Sequence, residues 1–335
     1  GPLSLSILYT IFISLVFASL LVLIKVEIAP SADPGSLHQE EAVKINSECK
    51  ANRICYDEKF KALSKTKGLF FAEQTLYKLW DIDKSTRSCH VLSHVISSQA
   101  TRQNPEKWKE YFETVNYSTC SAGFFHGVME AHIGDDPDFE LNSKTINDFC
   151  FTGDRYRNQN CVHYMGHLLM ISHKGDIHLA LDGCEGIKED LTRRCYTGVF
   201  MEDSIPLALV EHGIRPKMPD RRSLEFIKTM EKVCLNYIGD KASACWEGMG
   251  ENYQVFYNNP RKVFDACFGA PSQEHGTICF LKSAGIFAVN REYSDAAKLV
   301  SICQPVQDNS LYTSCIKRMI YSLISYSPKF TERGL

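Results

Sequence analysis

Cys150-Phe-Thr-Gly-Asp-Arg-Tyr-Arg-Asn-Gln-Asn-Cys161-Val-His-Tyr-Met-Gly-His167 is the stretch whose reading decides the fold. Two cysteines stand 11 residues apart across a polar segment, and a pair of histidines four residues apart follows the second. The spacing returns as Cys184/Cys195, Cys234/Cys245, Cys267/Cys279 and Cys303/Cys315, at 11, 11, 12 and 12 residues. Successive second cysteines lie 34, 50, 34 and 36 residues apart. One unit of this repeat therefore carries an insertion of roughly fifteen residues, around Pro206 to Arg222, where Pro216 and Pro219 break the pattern.

Each unit reads alike. An amphipathic helix runs into the first cysteine, as in Tyr293 to Cys303, with apolar residues at three- and four-residue spacing. A polar loop of about ten residues follows. The second cysteine then opens another helix, as in Cys279-Phe-Leu-Lys-Ser-Ala-Gly-Ile-Phe287. A loop that short makes the two helices antiparallel neighbours. A disulfide across it staples the hairpin, worth about 3 kcal/mol in the chain-entropy picture.

The first half keeps the scheme less strictly. Helix-like Leu69 to Trp80 and Pro105 to Val115 precede Cys89 and Cys120 without a cysteine at their ends. By elimination Cys89 pairs with Cys120, and the close pair Cys49/Cys55 completes seven bridges from 14 cysteines. The predicted fold is all-α: antiparallel helical hairpins stacked as an α-solenoid or a compact helical coil. This 34–36-residue helix-turn-helix period resembles tetratricopeptide-type repeats, some relatives of which are disulfide-stapled in secreted proteins. The resemblance is one of period and layout over roughly residues 60–325, and it brings no functional residue with it.

Composition fixes the setting. With 44% hydrophobic and 23% charged residues in 335, a large core is expected rather than disorder. A net charge of -3 and the lack of a dense Lys/Arg stripe exclude nucleic acid as a partner. So many cysteines, with no Cys-x-x-Cys, point to disulfides in an oxidising compartment, periplasmic or extracellular. The run Leu3 to Ile24 is uncharged and long enough to span a bilayer. It is read as an uncleaved transmembrane signal anchor over 3–24, because a signal peptide has a shorter apolar region and a basic start. Residues 25–42, with Pro30, Ser31, Pro34, Gly35 and Ser36, read as a linker. Residues 43–335 form the extracytoplasmic body. Asn116-Tyr117-Ser118 matches a glycosylation acceptor.

Superposing the units on their second cysteine exposes a column of chemistry. Six residues after that cysteine stand His126, His167, Met201 and Glu251, and His94 stands five after Cys89. Four residues before the column stand His90, His163 and Glu247. On a helix, residues four apart share a face, so His90/His94, His163/His167 and Glu247/Glu251 each present a pair of donors. Imidazoles and carboxylates so arranged are what a divalent transition metal (Zn, Fe, Mn or Cu) needs in a helical protein. The predicted metal set is His90, His94, His126, His163, His167, Glu247 and Glu251. Glu130 and Glu202 are the candidate catalytic acid/base groups. Met201 is a soft donor that would suit copper. Gly123, Gly127, Gly166, Gly198, Gly248 and Gly250 cluster beside these residues, and glycine inside a helix implies close helix approach.

Other chemistries lack their motifs. There is no phosphate-binding Gly-x-x-x-x-Gly-Lys, no Gly-x-Ser-x-Gly elbow, no His-Glu-x-x-His and no Cys-x-x-Cys-His. The sequence leaves open whether the metal reading means an enzyme or a metal-binding accessory protein. The alternative is a metal-free interaction module, with the His/Glu column lining a concave face for a protein or peptide partner. The membrane, through the N-terminal helix, is the other expected partner.

Overall fold

Short helices that begin on capping residues alternate with long ones through most of the chain. A computed structural model describes residues 34–326, apart from 84–85, 87–88, 115–118, 135–138, 152–154, 189, 206–208, 211–212, 216–220 and 291–295. The apolar run 3–24, the sequon at Asn116 and much of the insertion at 206–222 lie outside the described residues. No described helix is long and apolar enough to cross a membrane.

Helices α1 (Pro34–Cys49), α2 (Arg53–Lys67), α3 (Leu69–Ile82) and α4 (His90–Gln103) come first. Six hairpins follow. They are α5 (Trp108–Thr114) with α6 (Gly123–Met129), α7 (Ser143–Cys150) with α8 (Arg155–Ser172), and α9 (Ile177–Gly183) with α10 (Thr192–Ser204). Then come α11 (Leu224–Leu235) with α12 (Gly239–Tyr257), α13 (Pro260–Cys267) with α14 (Gln273–Asn290), and α15 (Ala296–Val300) with α16 (Asn309–Tyr326). A π turn, Glu130–Gly134, prolongs α6. No strand occurs among the described residues.

Local chemistry explains the starts. Asn142 and Thr145 form a capping box on α7, each side chain bonding the other's backbone N–H. The Asp176 carboxylate accepts from two backbone N–H groups of α9, the Ser223 hydroxyl accepts from Phe226 N–H of α11, and Asn259 accepts from Lys262 N–H of α13. Helix α1 begins at Pro34, inside the stretch read as linker. Proline is tolerated in a first turn, where its missing N–H would be unpaired anyway. The linker reading of 25–42 is corrected to that extent.

All 14 cysteines are paired as the spacing predicts, with Cα–Cα distances between 5.1 and 6.0 Å. The bridges place the body in an oxidising environment. One detail of the expectation is corrected. Cys161, Cys245, Cys279 and Cys315 lie inside α8, α12, α14 and α16 rather than opening them. The polar residues read as loop, such as Arg155 to Asn160, form the first turns of the second helix. The Cys89–Cys120 bridge also differs: it ties the start of α4 to the 3-10 turn (Thr119–Ala122) that leads into α6.

The second helices stack on one another in chain order: α4 on α6, α8 on α10, α10 on α12, α12 on α14, and α14 on α16. Helix α16 then reaches back to the Thr119–Ala122 turn. Aromatic pairs fill the layer between first and second helices, with Phe112 against Phe125 at 4.7 Å and Phe264 edge-on to Phe280 at 5.1 Å between ring centres.

Glycines set how close the second helices come. A Cβ on Gly123 or Gly127 would run into the carbonyl oxygen of His90 or His94 in α4. One on Gly166 would meet Cys195 O, one on Gly198 would meet His163 O, and one on Gly250 would meet Cys279 O. Backbone therefore rests on backbone across α4/α6, α8/α10 and α12/α14. Gly248 is the exception, with nothing within 4 Å of its would-be Cβ.

This contrast gives a direct test. Gly198→Ala pushes α10 off the His163 carbonyl and destabilises by about 1–3 kcal/mol or more. Gly248→Ala gains helix propensity and stabilises by about 0.5–1 kcal/mol. Urea unfolding of the two variants beside the parent measures both.

Candidate metal and ligand chamber

Seven second helices, α4, α6, α8, α10, α12, α14 and α16, wall a cavity of 760 Å³. Its volume lies in the range of small-molecule sites. Arg53 and Tyr321, both exposed, stand at its rim.

Four of the predicted histidines face this chamber: His90, His126, His163 and His167. Their rings form a chain with centres 5.1 Å apart (His90–His126), 6.1 Å (His126–His163), 6.2 Å (His126–His167) and 5.0 Å (His163–His167). The surrounding bonds fix their tautomers. The Thr197 hydroxyl donates to Arg194 O at 2.7 Å, so its oxygen accepts the Nδ1–H of His163 at 3.0 Å. His167 donates Nδ1–H to Glu202 Oε2 at 2.9 Å. His90 donates Nδ1–H to the carbonyl of Cys120 at 3.1 Å. With Nδ1 of each ring donating elsewhere, the Nε2 atoms of His163 and His167 face each other across 3.4 Å. The His126 ring stacks on Tyr164, with centres 4.4 Å apart, and its buried Nε2 has no hydrogen-bond partner. Burial, then neighbouring imidazoles, hold the pKa values of His126 and His163 well below the usual histidine value, so both are neutral at pH 7.

His94 does not reach the chamber. Its Nε2 lies 2.6 Å from Glu130 Oε2, in the seam between α4, α6 and α8. Arg102 pairs with the other Glu130 oxygen at 3.0 Å, and the Tyr164 hydroxyl donates to Oε2 at 3.3 Å. Burial alone would raise the Glu130 carboxyl, but His94 and Arg102 outweigh it and hold the group at about 2. Glu202 is buried as well: one oxygen accepts from His167 and the other from the Leu209 N–H at 2.9 Å. Both candidate acid/base carboxylates are thus engaged with histidines and turned away from the cavity lining.

Glu247 and Glu251 do line the chamber, each beside a guanidinium: Arg194 to Glu247 at 3.6 Å and Arg221 to Glu251 at 3.5 Å. Burial pushes the Glu247 carboxyl up, yet Arg194, Lys282, Arg318 and Arg193 together hold it below the usual value. Met201 also lines the chamber, as its place in the column implies. As the side chains stand, no three His, Cys, Asp or Glu among the described residues converge closely enough to hold an ion.

The column missed the chamber's cations. Lys282 and Arg318 each stand three residues after their second cysteine, Cys279 and Cys315, and both line the cavity. The column register, two and six places after that cysteine, passes over them: in the last two units it gives Leu281 and Gly285, then Lys317 and Tyr321. Arg194 and Arg221 carry no comparable sequence signal, because Arg221 comes from the insertion. No family model, curated protein or solved structure matches the chain.

The Glu130 cluster yields a pH prediction. A carboxyl whose folded pKa is depressed adds stability above its unfolded value and loses it as pH falls toward its folded one. Here that window runs from 4.5 down to about 2. Glu130→Gln should destabilise at pH 7 by on the order of 3 kcal/mol. The gap to the parent should close across that window, as measured by urea unfolding at stepped pH.

Proposed function

We propose that this chain is a membrane-anchored, extracytoplasmic helical-repeat protein, its hairpins coiled as an α-solenoid, whose central chamber binds a divalent transition metal on His163 and His167. The observation that carries this reading is the pair of Nε2 atoms at 3.4 Å with both Nδ1 protons committed elsewhere. Two nitrogens at that separation share either a proton or a metal ion, and the distance fits a metal closely. Two nitrogen ligands of one tetrahedral zinc ion, each about 2.05 Å from it, are about 3.3 Å apart.

The supports of the two rings match what metal-bound imidazoles use. A carboxylate, a hydroxyl or a carbonyl on Nδ1 fixes the tautomer and raises the basicity of Nε2. Glu202 and Thr197 are therefore positioning residues for His167 and His163. His126 is the third donor in this proposal. Its buried Nε2 lacks a partner, and its ring centre stands about 1 Å beyond the spacing two imidazoles take on one ion, within reach of a rotamer adjustment. His90 stands behind it as a further donor. A Lewis-acidic ion at this point would polarise an oxygen of a ligand in the chamber. The convergence of four rings on one wall supports this over a groove in which polar groups spread one per repeat.

The test is metal content by ICP-MS and Co(II) absorption on the purified, oxidised protein after reconstitution. One ion per chain is expected, with the strong visible bands of a tetrahedral nitrogen site. His163→Ala/His167→Ala should abolish binding, and Glu202→Gln should weaken it about 10–100-fold. A reconstituted parent that retains no metal rejects the reading.

A further inference from the structure

The metal reading leaves most of the chamber unexplained. Five cations line it, Arg53, Arg194, Arg221, Lys282 and Arg318, against the two carboxylates Glu247 and Glu251. Arg194 and Arg221 each stand beside one of those carboxylates. Lys282 and Arg318 make no ion pair among the described residues. They act on Glu247 only from beyond ion-pair distance, and Lys282 also lowers the pKa of His163. The Nε of Arg318 and the Nε of Arg194 are buried donors without a hydrogen-bond partner. Arg318 is led inward over a glycine: its Nε lies 3.5 Å from where a Cβ on Gly285 would sit.

Partly desolvated cations with unfilled donors are costly unless an anion meets them. The four chamber histidines do not supply one, since an imidazole side chain carries no negative charge in either protonation state. The rest of the lining is apolar where Met201, Val255, Ile286 and Val289 face the cavity.

From this we infer that the chamber takes a small organic anion, a carboxylate or phosphate ester with an apolar body. Lys282 and Arg318 grip its charged end, on the wall formed by α14 and α16. The cavity of 760 Å³ is far larger than one oxyanion, so the apolar lining has a body to cover. Arg53 at the rim adds to a field that draws anions in. The inference deepens the metal reading by naming the class of molecule that shares the chamber, but its binding residues are not those of the metal.

The experiment is isothermal titration with hexanoate and hexyl phosphate, using hexanol and hexylammonium as controls. It is run on chelator-stripped and on zinc-loaded protein. Both anionic probes should bind, at least tenfold more tightly than either control, in the stripped protein too. Lys282→Met and Arg318→Met should each weaken them at least tenfold, while Arg318→Lys restores part of the loss. Metal content at the histidines, measured on the same variants, should not change, which separates the effect from misfolding. Equal binding of hexanol, or anion binding unaffected by both methionine variants, would overturn the inference. Anion binding that appears only with zinc and ignores Lys282 and Arg318 would overturn it too, while leaving the metal site standing. Failure of zinc to bind with anion binding intact would reject the metal reading alone.

Discussion

A disulfide from the end of one helix to a point inside the next fixes more than the distance between them. It also fixes the rotation of the second helix about its own axis, because its cysteine must face its partner. Side chains at a set offset from that cysteine must then point the same way in every hairpin. That is why the residue six places after each of Cys161, Cys195, Cys245, Cys279 and Cys315 lines the chamber, joined by the residue two places after the first three and by the residue three places after the last three. The chemistry of the chamber depends on this register more than on any single contact. A slip of one residue would turn each side chain by about 100° around its helix.

Register alone does not bring rings on different helices within contact. The glycines do that. Gly198 rests against the carbonyl of His163, so α10 lies close enough for Thr197 and Glu202 to reach His163 and His167. Gly123 rests against His90, and the neighbouring Cys120 carbonyl takes the Nδ1 proton of that ring. In both places the residue that permits close helix approach lies within a turn of the group that locks a tautomer. A larger residue there would push the two helices apart and disturb the imidazole in the same step.

Much of this was legible in the sequence, for a physical reason. Cysteine spacing is a record of which helix ends are neighbours, so five bridges could be read from one repeated separation, and Cys49–Cys55 and Cys89–Cys120 followed by elimination. The inward face was legible from the same register, and it places His126, His163, His167, Glu247 and Glu251 on the chamber. Helix starts were not. Arg155 to Asn160 is polar throughout and looks like loop, yet it forms the first turns of α8, whose buried sides begin only at Asn158 and Cys161. His94 shares a face with His90 by spacing, but spacing cannot show that Glu130 and Arg102 wait in the adjoining seam. Nor can one sequence show that Arg221, from an irregular insertion, comes beside Glu251.

The carboxylates show why residue type alone misleads about roles. Four glutamates sit near four imidazoles, and each could be drawn as a base. Glu130 is held by two cationic or proton-bearing partners in a buried seam, and a group kept at about 2 is a poor proton acceptor at neutral pH. Glu202 spends both oxygens on donors, one of them the His167 ring. Glu247 and Glu251 stand beside arginines, which lowers their appetite for a proton as well as for a metal. The imidazoles are left as the ring nitrogens that face the chamber, and Lys282 and Arg318 as its cations with no ion pair among the described residues. Acid/base work by carboxylates is therefore the role this arrangement suits least. Coordination by nitrogen on one wall and recognition of negative charge on the other are the roles proposed for it instead, the first resting on the Nδ1 hydrogen bonds of His163 and His167 and the second on the unfilled donors of the chamber arginines.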